Sequence, residues 1–206
     1  MAITGLLLCG FLVSHLLGNL LLFVGPDAFN KYSHTLISNP LIYLAEVILG
    51  MLFLSHIIMG LKVTKENRDA RPVPYYVRET SGRGSTFASS TMPYTGLIAL
   101  VFLIMHIIGL KFGTHYTTVV GGIEMRDIYK TTVEYFQDLI HVIAYIIAMT
   151  ALGIHTSHGF WSAFQSLGFN HPKYMPRIKV LSKIYGIMVI IGFSSFPIFC
   201  YFQGGN

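Results

Sequence analysis

Apolar residues run almost unbroken at five places along the chain, around 2–24, 40–62, 93–112, 134–160 and 179–202. Each run reaches the roughly 20 residues that a helix needs to cross about 30 Å of hydrocarbon. The runs are continuous rather than alternating, which favours helices over barrel strands. The pattern therefore predicts an all-α membrane protein, one domain over 1–206, with five transmembrane helices. Gly25-Pro26 ends the first run, and an outer loop is expected from Pro26 to Asn39. Pro40 stands where proline is favoured at a helix start. The stretch 63–92 is the longest polar one. Its Arg71-Pro72-Val73-Pro74 and Ser81-Gly82-Arg83-Gly84-Ser85 predict irregular backbone. In the fifth run, Gly186, Gly192 and Pro197 predict close packing and a kink. That run has no histidine and reads as scaffold beside a bundle of the first four.

Composition supports the membrane reading. Only 11% of the 206 residues are charged, and the mean hydropathy is +0.60. A soluble helical protein would need far more charge on its outer faces. The net charge of +5 is not a nucleic-acid signal, because the basic residues sit at helix ends and in loops. Lys62, Lys65, Arg68, Arg71, Arg78 and Arg83 flank or fill the loop after segment two, and Lys173, Arg177, Lys179 and Lys183 flank segment five. The opposite side has Lys31, Lys111, Arg126 and Lys130. The positive-inside rule puts loops 63–92 and 161–178, and the N-terminus, in the cytoplasm, and the C-terminus outside. Segment one lacks a basic n-region and a cleavage site and reads as a retained helix rather than a signal peptide. Its abrupt start at Met1 leads one to expect a trimmed start or a missing amphipathic leader. Cys9 and Cys200 lie in different runs. Without CxxCH or CxxC, neither covalent haem nor a resident iron–sulfur cluster is expected.

Four histidines inside the apolar runs change the picture. Thr4-Gly5-Leu6, His15 and Gly18 are matched by Thr95-Gly96-Leu97, His106 and Gly109 at the same spacing. His56 and His155 each have a glycine four residues on, Gly60 and Gly159. Ionisable side chains at membrane depth are costly and by default functional. Two repeated pairs point to two bis-histidine metal centres, and within a helical bundle to haem b. At ~1.5 Å per residue, His56 and His155 lie on the order of 10 Å from the inner boundary, and His15 and His106 in the outer half. Depth thus pairs His15 with His106 and His56 with His155, one haem above the other. The neighbouring glycines are expected to clear space for a flat macrocycle, or to let helices approach closely.

The other histidines read differently. His34, His115 and His171 fall in or near loops and are expected to be solvated. His158, one turn from His155, competes as ligand, but the His-x3-Gly repeat favours His155. His141 lies fourteen residues before His155, the spacing of quinol-oxidising cytochromes b. No second helix repeats it, so that reading fails. Polar groups at the outer haem's depth are Asn19, Glu46 and His141, which are candidates for a quinone site. The alternative gives Asn19 and His141 to hydrogen bonding around the haem, and Glu46 to structure or proton carriage. An inner quinone site also stays open.

With these residues placed, the chain resembles the five-helix dihaem cytochrome b subunit of succinate:quinone oxidoreductases, the succinate dehydrogenases and fumarate reductases with one membrane subunit. The similarity spans nearly the whole chain. It is carried by Thr4-Gly5-Leu6, His15-Leu16-Leu17-Gly18-Asn19 and Gly25-Pro26-Asp27-Ala28-Phe29-Asn30-Lys31-Tyr32. Met92 with Thr95-Gly96-Leu97, and above all the run from Leu152 to Gly168 around His155-Thr156-Ser157-His158-Gly159, complete it. The resemblance implies axial ligands at His15, His56, His106 and His155, a flavoprotein partner with covalent FAD, and an iron–sulfur partner. It implies electron passage to a membrane quinone, usually menaquinone, with no dicarboxylate site on this chain. Some dihaem fumarate reductases carry a proton-transferring glutamate two residues before the fourth ligand. Gly153 stands there in this chain, leaving Glu46, Glu134 and Asp138 as acids in or near the membrane. Dihaem anchors of nitrate reductases or hydrogenases are the alternative class, disfavoured by one histidine per helix. A cofactor-free transporter or assembly protein is the third.

Overall fold

The computed structural model describes residues 1–70 and 87–204. The expected irregularity around 71–74 and 81–85 lies outside the described residues. Five helices among those described are long and apolar enough to span a membrane, and the chain is an all-α membrane protein of multi-pass type. The first span is α1 (Ala2–Asn19) followed by the single turn α2 (Leu21–Val24). Next come α3 (Pro26–Ile37) and α4 (Leu41–Asp69). After the undescribed stretch, α5 (Phe87–His106) runs into a π-helical turn, Ile107–Lys111. A hairpin of β1 (Thr117–Val120) and β2 (Ile123–Arg126) leads to α6 (Ile128–Tyr135), α7 (Leu139–Ser166) and α8 (Met175–Gln203).

Several boundaries differ from the apolar pattern. Pro26–Asn39, expected as a loop, is mostly helix α3, started by Pro26 and by the positive φ of Gly25 (133°). α3 is amphipathic, with Phe29 and Asn30 buried. That mixed polarity is why a search for continuous apolar runs passes over it. The fourth span begins at Leu139 rather than at 134, because Asp138 takes the N-cap position and accepts a hydrogen bond from Ile140 N at 2.9 Å. Glu134 belongs to the preceding α6. At 29 residues, α4 and α8 each extend about 43 Å, well past a ~30 Å core. Their polar ends therefore project beyond it.

α1, α4, α5 and α7 each touch the next in a ring, and α8 packs along α7 and α1. The α7–α8 seam is the tightest. A Cβ on Gly186 would lie 2.6 Å from the Gly153 carbonyl oxygen, and one on Gly153 would lie 2.7 Å from that of Gly186. Gly192 similarly receives Leu16, and the Tyr185 hydroxyl donates to Cys9 O at 2.8 Å, tying α8 to α1. The close packing expected of the fifth run is present. α4 buries none of its residues, and lipid-facing positions such as Leu44, Met51 and Leu54 are exposed on it.

On the side away from Met1, α3, the hairpin and α6 form a cap. Gly121 and Gly122 (φ 60° and 81°) make the two-residue turn. Arg126 donates to Leu110 O and Lys111 O at 3.0 and 2.9 Å, closing the carbonyl end of the third span. Asn30, 1% exposed, clasps the two halves. Its Nδ2 donates to Asp127 Oδ1 at 2.8 Å, and its Oδ1 accepts from Tyr129 N at 2.9 Å.

Candidate functional site: two facing histidine pairs

Each of the four ring helices carries one histidine inward, and the four meet as two pairs. His56 on α4 faces His155 on α7, with ring centroids 6.3 Å apart and planes crossed by 73°. His15 on α1 faces His106 on α5 at 5.9 Å and 89°. Two imidazoles that shared one metal, with metal–nitrogen bonds of about 2 Å, would need centroids about 6 Å apart. Both separations have this size. The pairing expected from depth is therefore the pairing of the folded chain. The first pair lies toward Met1 and the second toward the hairpin cap.

The Met1-side pair shows how its rings are held. Thr4 Oγ1 lies 3.2 Å from His56 Nδ1, and Thr95 Oγ1 lies 3.2 Å from His155 Nδ1. Each hydroxyl already donates within its own helix, Thr4 to Met1 O at 2.9 Å and Thr95 to Thr91 O at 3.1 Å. Each is thus left to accept, so the histidine donates from Nδ1–H. That fixes the tautomer and leaves both Nε2 lone pairs free for a metal. The next residue in each repeat stands against the same ring. A Cβ on Gly5 would come within 3.2 Å of His56 Cε1, and one on Gly96 within 3.4 Å of His155 Cε1. The Thr-Gly-Leu repeat, legible only as a marker of duplication, is the support of the histidines on the opposite helices.

The cap-side pair is walled by aromatic rings. Phe11 and Phe193 stack on His15 at 5.3 and 5.8 Å, and Phe102 lies 5.5 Å from His106. His106 Nδ1 is 3.3 Å from the Tyr145 hydroxyl. The π-helical turn begins directly after His106, a distortion common at functional sites. Gly18 and Gly109, expected to clear room for a macrocycle, instead receive tyrosine rings. Tyr32 Oη would lie 2.5 Å from a Cβ on Gly18, and Tyr135 closes on Gly109 in the same way. Gly60 and Gly159 do line open space. They border a cavity of about 1070 Å³ that contains His56 and His155 in its wall, at the upper end of ligand-pocket sizes.

Among the described residues no cluster of three or more His, Cys, Asp or Glu side chains could hold a bare ion. A metal between two imidazoles must bring its other ligands with it, as a tetrapyrrole does.

The three quinone candidates are not brought together. Asn19 bonds to His15 O at 2.7 Å and borders a cavity of about 170 Å³ with His15, Tyr32 and Ser33. Glu46 pairs with Lys111 at 2.6 Å, joining α4 to the end of the third span. His141 bonds through Nδ1 to Tyr135 O at 2.9 Å and stacks on that ring at 4.1 Å, a role at the start of α7. Glu134 accepts from the Tyr116 hydroxyl, and this bond holds the phenol's pKa above its ordinary value. His34 lies on α3 beside Ser38, His115 is exposed, and His171 accepts from Lys173 N at 3.1 Å in the turn before α8.

No family model, curated protein or solved structure matches the chain.

Proposed function

We propose that the chain is the membrane-anchor cytochrome b subunit of a succinate:quinone oxidoreductase, passing electrons between an iron–sulfur subunit and a membrane quinone through two b haems. The observation that carries the reading is the pair of facing histidine couples, at 6.3 and 5.9 Å, stacked along one four-helix ring. Haem b at each would supply one-electron redox chemistry. The chain's own part is to present the four imidazoles in facing pairs, to hold His56, His155 and His106 with Nδ1 bonds and His15 by stacked rings, and to keep water out with phenylalanines. Phe11 and Phe53, 6.4 Å apart, lie between the two levels.

A flavoprotein with covalent FAD and an iron–sulfur protein complete the proposed complex. The Met1 side is the proposed cytoplasmic face of a cytoplasmic membrane, with the C-terminus outside. Lys62, Lys65 and Arg68 project there on the last turns of α4, and Arg177, Lys179 and Lys183 on the first turns of α8. These basic ends support docking of a soluble electron donor on that face. Menaquinone, or another quinone, is proposed to react on the opposite side, where Asn19 borders the small cavity beside His15.

The test is a redox titration of single-histidine variants. His56→Ala or His155→Ala should remove one haem, and His15→Ala or His106→Ala the other. Loss of the same haem from the His15 and His56 variants would overturn the pairing.

A further inference from the structure

The cavity holding His56 and His155 differs in character from one end to the other. Deep in it stand the two imidazoles and small residues such as Gly5 and Gly60. At the Met1-side mouth its lining turns polar, with Asn67 and Arg68 from α4 and His158 and Ser162 from α7. Among the described residues that line it, none is an aspartate or glutamate. The mouth therefore offers hydrogen-bond donors and a guanidinium with no acid among the described lining residues to answer them.

Two of these groups are unanswered among the described residues. His158 Nδ1 is buried with no hydrogen-bond partner among the described residues. Its ring is held edge-on against Trp161 at 5.1 Å, so it cannot easily turn away. Lys62 of the same helix pairs with Glu66, whereas Arg68 has no ion-pair partner among the described residues. An orphaned buried nitrogen is costly unless a ligand satisfies it. A guanidinium suits a planar carboxylate better than any other side chain does. His158 follows His155 by one turn, on nearly the same face. A group reaching it would begin beside the metal-binding imidazoles.

We infer that this mouth is a carboxylate site, in which His158 and Arg68 receive the acid side chains of the macrocycle held between His56 and His155. The inference rests on the haem reading above and extends it to residues with no other role in that reading. It explains why a second histidine stands beside His155 without facing another histidine. It also orients the bound group, apolar edge inward and acids toward the Met1 side.

The experiment uses the full-length purified protein and its His158→Leu, His158→Asn and Arg68→Gln variants. The wild-type spectrum comes first. If no haem is present, the proposed function fails, independently of this inference. With haem present, His158→Leu and Arg68→Gln should lower the midpoint potential of the His56/His155 centre. Removing a donor or a cation leaves the carboxylates' charge less balanced and favours ferric iron. The other centre should not move. The carboxylate-bending band in resonance Raman should shift in the same two variants, and His158→Asn, which keeps an N–H donor, should stay closer to wild type. Arg68 is exposed, so its variant folds even if His158→Leu does not. An unchanged potential and band in Arg68→Gln and His158→Leu would overturn the inference, as would a shift confined to the His15/His106 centre. Titrating wild type with free succinate separates the two sources of carboxylate. No response is expected, and a saturable shift would assign the mouth to a free dicarboxylate instead.

Discussion

Thr95→Val tests the support of the Met1-side pair through a single atom. The substitution keeps the branched shape and removes the hydroxyl that accepts from His155 Nδ1 at 3.2 Å. Thr95 is 6% exposed, so water does not replace it. The Met92 backbone carbonyl also bonds to His155, so the loss falls within or below the roughly 1–3 kcal/mol of a buried N–H left with no acceptor. This agrees with the roughly 10–100-fold loss of metal affinity that follows removal of such outer-shell bonds. The lost bond also makes the imidazole a weaker base, so ferric iron is less favoured and the midpoint of that centre rises. Thr4→Val should act in the same direction on His56 but more weakly. Thr4 is only half-buried, in the first turn of α1, and solvent can partly replace its oxygen. The assay is haem retention after detergent wash, with a redox titration resolving the two centres. Equal retention and potential in Thr95→Val and wild type would refute the reasoning. So would a change at the His15/His106 centre alone.

Gly186→Ala should lower the melting temperature in detergent, because its Cβ would meet the Gly153 carbonyl and Ser157 Cβ at 2.6 and 2.7 Å. Overpacking of this kind costs about 1–3 kcal/mol, and each kcal/mol is worth roughly 2–4 °C at this chain length. Gly10→Ala is the control. Nothing lies within 4 Å of its Cβ position, and helix propensity favours alanine by up to about 1 kcal/mol. Equal melting of the two variants would remove the packing argument for the α7–α8 seam. Asn30→Ala should open the cap, raising amide exchange at Tyr129 and across β1–β2 while leaving the five spans protected. Unchanged exchange there would show that Asn30 is not the clasp.

The spans and the pairing of the histidines were legible because both follow from one-dimensional facts. Bilayer thickness dictates run length. Helical rise converts a residue's distance from a boundary into depth, so His15 and His106, or His56 and His155, fall at common levels. α3 and α6 escaped because a helix lying on the cap has a mixed face and no long apolar run. The start of α7 was misjudged because the apolar count cannot see that Asp138 folds back on Ile140 N. The roles of Thr4 and Thr95 were hidden for a different reason. Their partners are His56 and His155, 52 and 60 residues away, and a repeat in sequence does not say which ring it supports. The available clue was a hydroxyl–glycine pair one turn inside the membrane on each of two helices. Glu46 shows the converse error. An acid in an apolar run suggested a ligand site, but its answering charge, Lys111, lies at the end of another span.

The most direct test is the absorption spectrum and haem content of the purified chain. Two equivalents of haem b per polypeptide, with a six-coordinate reduced spectrum and two separable midpoint potentials, are predicted. Purified protein that folds and carries no haem when haem is supplied during expression would contradict the central claim.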